Sequence, residues 1–168
     1  SFQGDSILKQ IFINLGVKTN FLNENEILIS PIKNYKRPDK LSFNLIDSPD
    51  LAQTVAVTCM ALKIHVKITG LQTLKIKETD RILALYKELS KFGAKIKFDD
   101  SSIEISPPTE FNININIDTY NDHRMALSLA PMGLIVPISI NDPNVVTKSF
   151  PAYWNNLTQL GFDLNFLN

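Results

Sequence analysis

Three glycines, two aspartates and two lysines recur along this chain at nearly one interval, and that repetition limits the fold more than any other feature. Leu15-Gly16-Val17 leads into Lys18 to Phe21 and then Glu26 to Ser30. Phe92-Gly93-Ala94 leads into Lys95 to Phe98 and then Ser102 to Ser106. Leu160-Gly161-Phe162 leads into Asp163 to Phe166, two residues before the sequence ends. Each passage reads as a helix closed by a glycine, then an alternating strand; in the first two a polar turn and a second strand follow. Asp50 and Asp122 lie 72 residues apart, Lys77 and Lys148 lie 71 apart, and Gly93 and Gly161 lie 68 apart. Spacings that agree this closely mark a duplicated unit of about 70 residues.

Periodicity fills in the unit. In Thr79 to Phe92, the residues Ile82, Leu85, Tyr86, Leu89 and Phe92 recur at three- and four-residue steps, with Lys87, Glu88 and Lys91 on the other side. Phe150 to Leu160 repeats that pattern through Tyr153, Trp154, Leu157 and Leu160, and Ser6 to Leu15, capped by Asp5, is the same helix of an earlier unit. Leu51 to Leu62 and Met125 to Val136 are apolar nearly all round, which predicts buried helices. Pro131 should kink the second of these or replace one of its turns. Ser42 to Ile46 and Ile113 to Asp118 read as entering strands, and His65 to Thr69 and Ile138 to Ile140 as the strands that follow the apolar helices. The expected fold is α/β (α+β), built of repeated βαβαββ units: residues 1–36 end one unit, 41–106 form a complete one, and 112–168 a nearly complete one. The chain begins inside one unit and ends inside another, which predicts that it is cut from a longer protein.

Charge narrows the function. Seventeen basic residues face seventeen acidic ones, so nothing favours nucleic acid or an acidic membrane surface. The charge-free stretch Met125 to Asn141 is too short for a membrane span and is interrupted by Pro131 and Pro137. The single Cys59 sits in the apolar run Val55 to Leu62 and reads as a buried thiol; with no disulfide framework possible, the cytoplasm is the expected compartment. No His or Cys cluster has metal-ligand spacing, because His65 is strand-bound and remote from His123.

The unusual charges gather where helices begin. They are Asp50, then Lys77, Glu78, Asp80 and Arg81, and in the next unit Asp122, His123, Arg124 and Lys148. A cation is repelled by the positive end of a helix dipole, so Arg81 and Arg124 look held for an anion, which free N–H groups at helix starts already favour. Each residue also has a plain reading. Lys77 and Lys148 could be solvated strand-end lysines, Arg81 could pair with Glu78 or Asp80 on the surface, Asp50 and Asp122 could be helix caps, and His123 could be a hydrogen-bonded structural imidazole. Four cations at equivalent places in a repeat argue for a shared ligand.

Lys75-Ile76-Lys77-Glu78-Thr79-Asp80-Arg81, Thr119-Tyr120-Asn121-Asp122-His123-Arg124-Met125-Ala126, Asp142-Pro143 and Lys148-Ser149-Phe150-Pro151 follow in this order, with Ser48-Pro49-Asp50 and Gln3-Gly4-Asp5 upstream. In these motifs the chain resembles the C-terminal part of the EPSP synthase family, the 3-phosphoshikimate 1-carboxyvinyltransferases. The resemblance implies an inside-out enolpyruvyl transferase-like domain, with helices within and sheets without. It implies an enzyme that moves the carboxyvinyl group of phosphoenolpyruvate to the 5-hydroxyl of shikimate 3-phosphate and releases phosphate, in aromatic amino acid biosynthesis, without metal or organic cofactor. The full-length protein would be a monomer whose N-terminal domain supplies the rest of the site, so this part alone is expected to bind anions weakly and not turn over. Carried over position by position, Arg81, Arg124 and Lys148 would bind phosphoenolpyruvate, and Lys77 shikimate 3-phosphate. Asp50 would orient the 5-hydroxyl and take its proton, and Glu78 would move the proton at the methylene carbon. Asp122 and His123 would support them. Thr73 stands where many members carry an asparagine that touches the shikimate ring. A non-catalytic anion-binding or scaffolding module of this fold is an alternative, as is the related UDP-N-acetylglucosamine enolpyruvyl transferase.

Overall fold

Alternation and burial agree along the two complete-looking units, and the topology is that of a duplication. A computed structural model describes residues 4–166, with side chains over 6–166. A turn of 3-10 helix at Gly4–Ile7 leads into α1 (Leu8–Ile13), then the antiparallel hairpin β1 (Val17–Phe21) and β2 (Ile27–Pro31). The next unit runs β3 (Lys40–Asn44), α2 (Ala52–Ala61), β4 (His65–Thr69), α3 (Arg81–Lys91), β5 (Lys95–Phe98) and β6 (Ser102–Ser106). The last runs β7 (Ile115–Ile117), α4 (His123–Leu129), β8 (Ile138–Ile140) and α5 (Tyr153–Gln159). In both of these units the first two strands pair in parallel, β3 with β4 and β7 with β8, and the connection between them is an apolar helix. β6 adds to β4 and β5 to β6, both antiparallel, giving a four-stranded order β3-β4-β6-β5.

Helices occupy the inside. α2 buries Ala52, Gln53, Val55, Ala56, Val57, Cys59 and Met60, as its all-round apolar sequence predicts, and it packs on α3, α4, β4 and β6. Val66, Ile68, Ile103 and Ile105 turn inward from the sheet, while Lys67 faces out. Burial raises the Cys59 thiol to about 12, so it is an inert core group. A smaller cluster of Ala126, Ala130, Val146, Tyr153 and Leu157 seats α5 on α4, where the Tyr153 hydroxyl donates to the Leu127 carbonyl at 2.9 Å. The glycines that marked the repeat, Gly16, Gly93 and Gly161, all take positive φ, at 87°, 92° and 94°, where they close α1, α3 and α5. Among the described residues no helix is long and apolar enough to cross a membrane.

Several expectations need correction. The apolar run after Asp122, expected to be a buried helix to Val136, is α-helical only as far as Leu129, and Leu134 and Ile135 are exposed; Pro131 does replace a turn, as expected, lying in the 3-10 turn Ala130–Leu134. α1 and α5 are shorter than their sequence patterns, and the expected cap by Asp5 falls outside the described side chains. Leu160, expected on the inner stripe of α5, is exposed, because the helix ends before it. β3 begins two residues early, where His65 offers Lys40 a parallel partner, and β7 is held to the three residues that β8 can pair. Asp163 to Phe166 is not a strand; among the described residues it has no antiparallel neighbour to share a ladder with, and an unpaired strand gains nothing from its extended shape. Tyr86 sits outside the core face and packs on Phe98, ring centroids 4.9 Å apart. Glu88 is the opposite case: expected on the wet face of α3, it is fully buried.

One crossing fixes the approach to the helix starts. Gly70, at φ +80°, leaves β4 against the 44–46 segment, where Leu45 donates to the Thr69 carbonyl at 2.9 Å. A Cβ there would collide with the Ile46 backbone nitrogen and stand 2.6 Å from Asn44 Oδ1. Gly70→Ala should lower stability by at least about 1–3 kcal/mol, read as a lower denaturant midpoint; an unchanged midpoint would contradict this packing. A second expectation concerns acid. The Ser101 backbone N–H, with the Ser102 and Ser101 hydroxyls, holds the Asp99 carboxyl below its ordinary 3.8, and Lys91 with Asn141 does the same for Asp118. A carboxyl lowered in the folded state stabilises above its unfolded value and loses that contribution as pH falls through 3.8 and below. The urea midpoint should therefore fall between pH 6 and pH 3, less steeply in Asp99→Ala.

Candidate functional site

α3 starts where it does because the Asp80 carboxylate accepts the Leu83 backbone N–H at 3.0 Å, a side-chain cap that makes Arg81 the first helical residue. That places the Arg81 side chain inward, and its relative exposure is only 1%. Its Nε donates to Asp122 Oδ2 at 2.7 Å and its Nη1 to Asp50 Oδ1 at 2.8 Å. Its Nη2 donates to Glu78 Oε2 at 2.6 Å and to Asp122 Oδ1 at 3.3 Å. Four of the five guanidinium N–H groups are engaged. The misplaced cation is thus explained by three carboxylates, which offset both its burial and its repulsion by the helix end.

Asp122 is fully buried and does two things at once. It grips Arg81, and its Oδ1 accepts the Arg124 backbone N–H at 2.9 Å, capping α4. The chain enters this cap through two consecutive residues with positive φ, Tyr120 at 54° and Asn121 at 58°. Asn tolerates that region, but a tyrosine there is strained by on the order of 1–3 kcal/mol and needs a compensating hold. Asp50 lies in the 3-10 turn Pro49–Leu51 that precedes α2, and makes no side-chain cap bond to it. It faces the cations instead: Lys77 Nζ is 3.4 Å from its Oδ1 and Arg124 Nη2 is 3.3 Å from its Oδ2. Arg124 Nη1 also reaches the Asp50 carbonyl at 3.4 Å.

Exposure divides the cluster into a floor and a rim. Arg81 and Asp122 are the floor; the rim side chains range from 28% exposed at Asp50, through 33% at Arg124 and 35% at Lys77, to 48% at Glu78. His123 stands at the edge, its Nδ1 3.9 Å from Asp122 Oδ1. Lys77 and Arg81 do not share a helical turn, since Lys77 follows the 3-10 turn Gln72–Ile76 in extended backbone. The structure thus gathers Asp50, Lys77, Glu78, Arg81, Asp122, His123 and Arg124. Two other candidates stay out. Thr73 is exposed on that 3-10 turn, and Lys148 is exposed at the end of the turn Pro143–Lys148; among the described residues neither makes a side-chain bond to the cluster. The balance also differs from expectation. Lys77, Arg81 and Arg124 face Asp50, Glu78 and Asp122, three charges against three, so the cluster is neutral within itself. Among the described residues no group of three or more His, Cys, Asp and Glu side chains is arranged to hold a metal ion.

Sequence reasoning missed a second polar group beside this one. Glu88, seven residues beyond Arg81 on the same side of α3, accepts the Tyr120 hydroxyl at 2.6 Å, the Asp118 backbone N–H at 3.1 Å and Lys91 Nζ at 2.8 Å. The seven-residue spacing from Arg81 was the available signal, two helical turns along one face.

Comparisons with known proteins agree with one another. The model of one family, described as EPSP synthase (3-phosphoshikimate 1-carboxyvinyltransferase), matches residues 1–157. A 3-phosphoshikimate 1-carboxyvinyltransferase of Bacteroides fragilis (strain YCH46) is 43% identical over 167 residues, covering 98% of this chain and 40% of the relative. One from Vibrio cholerae (strain M66-2) is 41% identical over 121 residues, covering 71% of this chain and 28% of the relative. Among solved structures, an EPSP synthase from Acinetobacter baumannii superposes with a TM-score of 0.70 at 19% identity, covering 95% of this chain and 39% of that one. The enolpyruvyl transferase NikO from Streptomyces tendae gives 0.69 at 16% identity, covering 94% and 35%. These structural likenesses show the fold. The chain spans about 40% of the length of the Bacteroides relative.

Removing one partner of a buried ion pair leaves an uncompensated charge. Asp122→Ala should therefore cost about 3–5 kcal/mol, read by equilibrium unfolding, whereas the half-exposed Glu78→Ala should cost no more than about 1 kcal/mol. Equal losses would refute the floor-and-rim division.

Proposed function

The chain belongs to the EPSP synthase family, and from that premise we propose that it forms one wall of an enolpyruvyl-transfer site. The site moves the carboxyvinyl group of phosphoenolpyruvate to the 5-hydroxyl of shikimate 3-phosphate and releases phosphate. The observation that carries the proposal is Asp50, whose carboxylate is met by three cations from three separate segments: Lys77, Arg81 and Arg124. A lone structural aspartate has no need of three, whereas a base beside two anionic substrates does.

Arg124, on the open rim, and Lys148, from the exposed turn beside α4, bind the phosphate and carboxylate of phosphoenolpyruvate. Arg81 adds its charge and its one remaining N–H from below, in a fixed position that needs no rearrangement as charge develops. Lys77 takes shikimate 3-phosphate, and Thr73 lies on the preceding turn toward the same substrate. In the addition step the 5-oxygen bonds to the substituted carbon of phosphoenolpyruvate, Asp50 takes the hydroxyl proton, and Glu78, having first taken up a proton from solvent, delivers it to the methylene carbon. In the elimination step the carbon–oxygen bond to phosphate breaks, the methyl proton returns to Glu78, and phosphate leaves with the proton from Asp50. Both proton carriers are within reach of solvent and of Arg81, which holds each at one oxygen. His123 and Asp122 steady this arrangement.

The cluster's internal neutrality supports a further part of the proposal. An incoming dianion gains little where Lys77, Arg81 and Arg124 each already face a carboxylate and Lys148 alone adds net charge, so the remaining positive charge comes from the portion of the protein beyond these residues, its N-terminal domain. These 168 residues alone then bind phosphoenolpyruvate weakly and release no phosphate. The buried, unpaired Cys59 fits a cytoplasmic enzyme.

In the full-length protein, phosphate release from the two substrates should fall at least a hundredfold in Asp50→Asn and in Glu78→Ala. Arg124→Ala should raise the KM for phosphoenolpyruvate at least about tenfold. Asp50→Asn turning over at the parent rate would remove Asp50 as the base, and phosphate release by the 168 residues alone would refute the need for a second wall.

A further inference from the structure

Glu88 is a fully buried carboxylate that the proposed chemistry does not use. It lies beneath a strained segment of the site, the consecutive left-handed residues Tyr120 and Asn121. Its Oε1 accepts the Tyr120 hydroxyl at 2.6 Å and its Oε2 the Asp118 backbone N–H at 3.1 Å. Lys91 balances its charge at 2.8 Å and ties the same loop down through the Asn116 carbonyl and Asp118 Oδ2, each at 2.9 Å. Asp118 in turn accepts from Asn141 at 2.7 Å, which joins the ends of β7 and β8. α3 therefore holds the 118–122 loop at two points two turns apart: Arg81 grips Asp122, and Glu88 grips Tyr120 and the Asp118 N–H.

We propose that Glu88 and Tyr120 are a positioning pair, which keeps the Tyr120-Asn121 turn in its left-handed shape and thereby aims Asp122 at Arg81 and sets Arg124 at the rim. The inference rests on the enolpyruvyl-transfer reading for its effect on activity, but not for its geometry. A tyrosine at positive φ persists only where its surroundings over-determine it, and here the phenol's single bond reaches a carboxylate with no exposure. Burial first, then the bond to Glu88 and its charge, push the Tyr120 phenol well above its ordinary value, so it stays a donor across the working range. Relaxation of the turn would rotate Asp122 away from Nε and Nη2 of Arg81 and shift the first residues of α4, Arg124 among them. Lys77 and the shikimate side depend on other segments and would be left in place.

The test uses the full-length protein with Tyr120→Phe, which keeps the ring and removes only the hydroxyl. The KM for phosphoenolpyruvate should rise about tenfold, with the KM for shikimate 3-phosphate within twofold of the parent. Glu88→Gln, which keeps an acceptor for the phenol, should fall between parent and Tyr120→Phe. A Tyr120→Phe protein with parental KM for phosphoenolpyruvate, or with both KM values raised alike, would overturn the pair as a positioning device. A second readout stands apart from turnover: solvent exchange of the Arg81 Nε–H, followed by NMR, should quicken about tenfold in Tyr120→Phe, and an unchanged rate would also overturn the inference. A parent protein that releases no phosphate would sink the proposed function alone, leaving the exchange measurement to decide the pair.

Discussion

Burying a guanidinium at the positive end of a helix is the constraint on which the rest of this site depends. Arg81 would be unfavourable there on its own, penalised both by desolvation and by the dipole of α3. It is tolerated because carboxylates arrive from three places: the turn before α2, the loop before α3, and the cap of α4. Those places belong to both repeat units. The apolar contacts of α2 with α3 and α4 bring the units together, but hydrophobic burial is non-directional and would accept many rotations. The bonds to Arg81 accept few, and so register one unit against the other at the end where the helices begin.

The same bonds explain why one short cluster can be both structure and site. Its floor is closed and its rim is open, and the two are linked through single carboxylates. Glu78 and Asp50 each give one oxygen to Arg81; the second oxygen of Glu78 faces the open rim, and that of Asp50 meets the partly exposed Arg124. A side chain anchored in that way keeps its position while its free oxygen exchanges protons or partners, which is the combination a general acid or base needs. Rigid placement comes from below, and Glu88, two turns further along α3, extends the same support under the loop that carries Asp122 and Arg124.

Much of this was legible in the sequence, and the limits have physical causes. α2 and α3, and the strands at 65–69, 95–98 and 102–106, were readable because their periodicity matches burial on one face or on all. Strand limits that depend on a neighbour were not: β7 ends where β8 stops pairing with it, and among the described residues 163–166 has no strand to pair with. The cluster residues were found because their charges recur at the same place in a repeat. Lys148 carries the same signal, and Thr73 rested on the family resemblance alone, but both lie apart from the cluster on exposed turns, since spacing along the chain does not fix which way a turn points. Glu88 was lost for the opposite reason. On an amphipathic helix an acidic residue beside two lysines reads as solvated, and only the tyrosine and backbone N–H that meet it in the folded state reveal it as buried.

The geometry of Asp50 gives the neutral cluster a direction of change. Its Oδ1 is held by Arg81 at 2.8 Å and Lys77 at 3.4 Å, while among the described residues its Oδ2 meets Arg124 alone, at 3.3 Å. The Arg124 contacts, at 3.3 and 3.4 Å, are longer than the 2.8 Å bond from Arg81 to the same aspartate, and hydrogen bonds weaken steeply beyond normal length. An anion approaching from the rim would therefore win Arg124 before it could disturb Arg81. On the proposed reading, phosphoenolpyruvate drawing Arg124 away would free Oδ2 while Oδ1 stayed fixed. The carboxylate would then have one oxygen anchored and one ready to take the 5-hydroxyl proton. Binding of the group donor and exposure of the base would thus be one event, and the three-against-three balance that weakens anion binding in these residues alone would keep the base covered until the donor is in place.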